Sequence, residues 1–106
     1  MKKSIAALFV YLVLSCPLSA DTEDGIRFYN EEDFTAAFLE LLPEANSGDS
    51  QAQYYLGQIY SNGHDVEVNY AEAMNWYRLA AEKGNPDAQR SIGYLYDFGH
   101  GVDSDY

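Results

Sequence analysis

The chain says one thing twice. Residues 48–70, GDSQAQYYLGQIYSNGHDVEVNY in one-letter code, are followed over residues 84–106 by GNPDAQRSIGYLYDFGHGVDSDY. The copies stand 36 residues apart. Gly48/Gly84, Ala52/Ala88, Gln53/Gln89, Gly57/Gly93, Tyr60/Tyr96, Gly63/Gly99, His64/His100, Val66/Val102 and Tyr70/Tyr106 are identical, and Leu56/Ile92 and Ile59/Leu95 exchange one aliphatic side chain for another. One short amphipathic unit cannot bury its apolar face alone, so tandem copies must stack. The pattern predicts an all-α fold, an α-solenoid of antiparallel helix pairs.

The spacing within the copies places the helices. Ala52, Leu56, Ile59 and Tyr60 form a stripe at helical period over about 50–62. Asp49 stands at its N-cap and Gly63 at its end; Asn85 and Pro86 take the opening role in the second copy, over about 86–98. Gly57 lies beside the stripe and returns as Gly93. An interior glycine costs about 1 kcal/mol against alanine, so its return predicts a neighbouring helix too close for a Cβ. Between the copies, Asn69 with Glu72 reads as a capping box. Tyr70, Ala73, Met74, Tyr77, Ala80 and Ala81 follow as a core stripe flanked by Trp76, with Lys83 placed to complement the carboxyl-end dipole. Upstream, Phe34, Ala37, Phe38, Leu41 and Ala45 stand 36 residues before Tyr70, Ala73, Met74, Tyr77 and Ala81. Residues 31–47 are therefore expected to form a degenerate second helix whose first helix is absent, with Pro43 a candidate kink. Residues 21–30 show no periodicity and are expected to be an acidic tether.

Residues 1–20 belong to another kind of segment. Lys2 and Lys3 precede an apolar run over residues 5–15, and Pro17 breaks it before small residues, the layout of a secretory signal. The run falls short of the ~20 residues that span a bilayer. Two processing readings stand open: a lipobox over residues 13–16 with lipidation at Cys16, or cleavage after Ala20. Both place the chain outside the cytoplasm, in the periplasm or cell envelope, or secreted. Cys16 is the sole cysteine, so no intrachain disulfide can form. All 17 acidic residues lie at or after Asp21, where only Arg27, Arg78, Lys83 and Arg90 are basic. Such a surface repels phosphate backbones and anionic lipid, so nucleic acid is excluded as a partner and a membrane is reached only through a lipid on Cys16.

The repeat itself resembles a known family. Ala-Gln ahead of the first helix core, Leu-Gly-x-x-Tyr, the Gly-x-x-Val turn, Tyr-x-x-Ala-x-x-Trp-Tyr and Ala-Ala-x-x-Gly over residues 48–83, taken up again over 84–106, resemble the Sel-one-like repeat, a relative of the tetratricopeptide repeat. The resemblance implies stacked helix pairs and an adaptor role in protein–protein interaction, often in bacterial envelopes. Residues 48–83 make one complete repeat, and 84–106 an incomplete one. Asp65 stands where the second copy keeps Gly101.

Chemistry is sparse. His64 and His100 recur in the same turn, but stacked helices would hold them about 10 Å apart, and no further ligands are evident; no metal or cofactor is expected. Hydrolase relatives in the family prompt a search for Ser-x-x-Lys, His-Glu-x-x-His and Gly-x-Ser-x-Gly, none of which occurs. The chain is not read as an enzyme. The candidate protein-binding residues are Tyr54, Gln58, Arg90 and Tyr94, on the helix face opposite the buried stripe, which differ between otherwise matching copies. A second candidate surface is an exposed apolar end, Ile92, Leu95 and Tyr96, open to a partner or to self-association. The alternative to an adaptor is a truncated remnant of a longer repeat protein.

Overall fold

The computed structural model describes residues 22–98, which form five helices and, among those residues, no strand. They are α1 (Thr22–Asn30), α2 (Phe34–Asn46), α3 (Ser50–Asn62), α4 (Tyr70–Glu82) and α5 (Pro86–Phe98). Each packs on its neighbours in sequence, and α1 also touches α3. This is the antiparallel helix stack that the repeat demands. The signal segment, Cys16, His100 and the turn around Gly99 and Gly101 lie outside the described residues.

The helix starts obey one rule. Asp33, Asp49, Asn69 and Asn85 each accept, through a side-chain oxygen, the amide of the residue three further on. An amide that the helix cannot satisfy internally is thereby paired. The box at Asn69 is only half formed, because the Asn69 amide itself donates to the Tyr60 carbonyl. Gly63 ends α3 in the left-handed region, at φ +72°. Asp65 also takes a positive φ, +61°, where the second copy has glycine. Its carboxylate accepts the Thr35 hydroxyl at 3.0 Å, which ties the turn to α2. Pro43 falls inside the last turn of α2 and does not end it.

The core consists of two equivalent clusters. Ala37, Leu41 and Ala45 of α2 pack on Ala52, Leu56 and Ile59 of α3. A period later, Ala73, Met74, Tyr77 and Ala80 of α4 pack on Ala88 and Leu95 of α5. Each cluster joins the second helix of one unit to the first helix of the next. The recurring glutamine serves that junction: Gln53 Nε2 donates to the Ala45 carbonyl at 3.0 Å, and Gln89 Nε2 to the Ala81 carbonyl at 3.4 Å. Lys83 Nζ likewise reaches the Gly48 carbonyl, one unit back.

Two expectations are corrected here. Residues 22–30 are not a tether but a helix, α1, which fills the place of the missing first helix. Gly25 shows this: a Cβ there would stand 2.5 Å from Leu41, as a Cβ at Gly57 would stand 2.5 Å from Tyr77, and Leu41 precedes Tyr77 by one period. The link from α1 to α2 is residues 31–33, whereas α3 reaches α4 through 63–69. That shorter turn puts α1 out of the 36-residue register.

The apolar end is also not as expected. Leu95 is buried, Ile92 and Tyr96 pack half-buried on the α4 cluster, and Arg78 donates to the Tyr96 hydroxyl at 3.0 Å. The aliphatic stripe of a first helix faces the preceding helix, so α4 already covers it. Among the described residues, the uncovered face of α5 is instead marked by Gly93: Gly57 is buried under Tyr77, whereas a Cβ at Gly93 would meet nothing within 4 Å.

Candidate functional site

A groove of about 470 Å³ lies between α3, α4 and α5. Tyr54, Gln58 and Asn62 follow one another along α3 at successive turns, and Arg90 and Tyr94 do so along α5. Ser61, Tyr70, Tyr77, Ser91 and Leu95 complete the lining. All four residues singled out in the sequence thus meet in one place. They are also repeat equivalents, Tyr54 with Arg90 and Gln58 with Tyr94, so the two walls present the same helix face with different chemistry.

Gln58 departs from its expected outward position. It is half-buried, and its Oε1 accepts the Tyr77 hydroxyl at 2.5 Å. Ser61 Oγ lies 3.1 Å from the same hydroxyl. The bond spans α3 and α4, and Tyr77 is large enough to reach it because Gly57 lets its ring pass. Burial pushes the Tyr77 phenol up to about 12, against the opposing effect of its hydrogen bonds to Ser61 and Ser91. Burial also raises Tyr29, against bonds from Asn62 and Gln58, and it raises Tyr54, helped by the nearby Asp87 carboxylate. Gln58 therefore belongs to a polar floor that links α1, α3 and α4.

The rim is open. Tyr94 is 60% exposed, with the Phe98 ring 4.5 Å away, centroid to centroid. Arg90 pairs with Asp87 one turn back, both well exposed. Tyr54 is half-buried, its ring 6.0 Å from that of Tyr77. Ser61, Asn62, Tyr70 and Ser91 were not singled out in the sequence. Asn62 could have been found by carrying the Tyr54–Gln58 step one turn further; Tyr70 reads as core, and the serines give no periodic signal.

His64 is elsewhere. Its imidazole stacks on the Phe34 ring at 3.8 Å with 4° between the planes, and its edge meets Tyr29 at 5.7 Å. The turn histidine is a packing residue that seats the α3–α4 turn on the start of α2. Among the described residues, no group of three His, Cys, Asp or Glu side chains could hold a metal ion, and no helix is long and apolar enough to cross a membrane.

The same architecture recurs in known proteins. The Sel1 repeat family model matches residues 50–85 and 86–106, and the chain belongs to that family. A Sel1 repeat protein from Oxalobacter formigenes is similar in structure over 80% of this chain and 35% of its own, with 30% identity and a TM-score of 0.76. A protective antigen present in uropathogenic Escherichia coli strains, displaying an SLR fold, is similar over 80% of this chain and 19% of its own, with 38% identity and a TM-score of 0.74. The chain thus spans about a third and about a fifth of those two structures. No curated protein matches it significantly. The Sel1 helical-repeat fold serves protein–protein interaction in general, and proteins built on it are typically non-enzymatic scaffolds.

Proposed function

We propose that the chain is an exported adaptor that binds another protein through the groove between α3 and α5. One observation carries this reading. Two pairs of repeat equivalents that differ in chemistry while keeping their place in the scaffold, Tyr54/Arg90 and Gln58/Tyr94, line that groove with both members. Arg and Tyr are favoured at interface hot spots. Among the described residues the lining holds no carboxylate, imidazole or thiol to act as base or nucleophile, and the Ser61 hydroxyl has the Gln58 carbonyl and the Tyr77 phenol as its neighbours. Export is supported by Lys2, Lys3 and the apolar run that follows them, and intact mass of the envelope-fraction protein tests it: loss of residues 1–20 or a lipid on Cys16 is expected, and a full-length cytoplasmic species would refute it.

The binding test uses a photo-crosslinking residue at Tyr94 and, as control, at Leu39, which is 66% exposed on α2 and outside the groove. Crosslinked partners are expected from position 94 and not from 39. Equal yields from both positions would refute the groove as the interface.

A further inference from the structure

We infer that the groove takes an extended peptide segment, with an acidic side chain opposite Arg90 and an apolar or aromatic side chain two residues away against Tyr94. The inference rests on reading the groove as the protein-binding face and names the class of ligand. Its first support is spacing. Arg90 and Tyr94 stand four residues apart on α5, a rise of about 6 Å, while side chains on one face of an extended strand repeat every ~6.6 Å. A strand laid along α5 therefore brings alternate side chains against successive helical turns. A helical ligand satisfies its own backbone groups and would leave the polar side chains of the lining unused.

Charge sets the register. Among the described residues Arg90 is the single charged one in the lining, in a chain of net charge −11. A basic side chain would find acidic partners over much of the surface, whereas an acidic one has a single attractive position in the groove. The Asp87 carboxylate that Arg90 now holds is an exposed neighbour on the same helix. Such pairs contribute little, so an incoming carboxylate in bidentate geometry displaces it. One turn on, Tyr94, 60% exposed, offers its ring. Asn62 and Ser91 supply amide and hydroxyl groups that an extended backbone requires.

The test is selection of displayed random heptapeptides on the purified full-length chain, repeated on Arg90→Glu. Both Arg90 and Tyr94 are exposed, so neither the Arg90→Glu nor the Tyr94→Ala variant removes a core contact, and thermal melts verify that they fold. The expected peptides carry Asp or Glu two positions from Leu, Phe or a similar residue. Their affinity falls about tenfold or more on Arg90→Glu, as for a charge pair at an interface, and falls also on Tyr94→Ala. Selection on Arg90→Glu turns the acidic position to Lys or Arg. Enrichment without an acidic residue, indifference to Arg90→Glu, or no enrichment would each overturn the inference. If crosslinking at Tyr94 succeeds while peptide selection fails, the groove binds a folded partner and only the ligand class is lost; if both fail, so does the reading beneath it.

Discussion

Tyr77 ties α3 to α4 at the floor of the groove. Its ring is buried, its edge lies over Gly57, and its hydroxyl donates to Gln58. Burial raises its folded-state pKa to about 12, above the ordinary value of 10.0. Below pH 10 the phenol is protonated in both the folded and unfolded chain, and its contribution is fully present. Above pH 10 the unfolded chain loses the proton while the folded one keeps it, so stability falls by up to about 1.4 kcal/mol per pH unit until the folded pKa is reached. Tyr29, Tyr54 and Tyr60 are shifted in the same direction by burial and add to the slope. Urea unfolding between pH 8 and pH 12 should show this alkaline loss. Tyr77→Phe, although less stable at neutral pH for want of its hydrogen bonds, should lose less as pH rises. An unchanged slope in Tyr77→Phe would mean that the other tyrosines account for it.

At the scale of the helix, two identical glycines should respond in opposite directions. Gly57 faces Tyr77, whose ring is fixed at both ends, so the extra methyl of Gly57→Ala must displace a packed side chain at a cost of about 1–3 kcal/mol. Gly93 meets no neighbour within 4 Å and is exposed, so Gly93→Ala should gain about 1 kcal/mol of helix propensity. Paired thermal melts decide, and a loss of stability in both variants would show that α5 is covered on that face. The recurrence of glycine made the close helix approach legible in the sequence, and helix limits at Ser50, Asn62, Pro86 and Phe98 were legible from caps and stripe. Which face each residue takes was less so. A wheel puts Gln58 opposite the aliphatic stripe, but a first helix is packed on two sides, by the helix before it and by the one after. Gln58 therefore reaches the Tyr77 hydroxyl, and Leu95 is covered by α4. Asp65 hides its role for a different reason: only the fold brings Thr35 to its carboxylate.

At the scale of the whole stack, α1 covers the leading side of α2 and α3. The positions of α1 that match Leu56 and Ile59, counted from the paired glycines, are Asp24 and Arg27. These are 3.7 Å apart, and Arg27 also meets Glu31 at 3.4 Å. Where α3 offers aliphatic side chains to the helix before it, α1 carries charge at the matching positions. Its other face is apolar: Ile26, Phe28 and Tyr29 pack on the Leu41–Leu56 cluster, and Tyr29 meets Tyr55 at 5.0 Å. Fully burying one such side chain is worth about 1.5–3 kcal/mol; half-burying three of them still amounts to about 3 kcal/mol. For a domain of this size, 1 kcal/mol moves the melting temperature by about 4–8 °C. Deleting residues 1–32 should therefore lower Tm by more than about 10 °C relative to a chain that lacks only residues 1–20. It should also expose amides of α2 and α3 to exchange while leaving α4 less affected. A tether at residues 22–30 predicts the opposite, equal melting temperatures and identical exchange, because a flexible lead-in covers no core. The comparison separates the two cleanly, since both truncated chains retain the repeats over residues 50–106 and differ only in the helix that Gly25 lets approach Leu41.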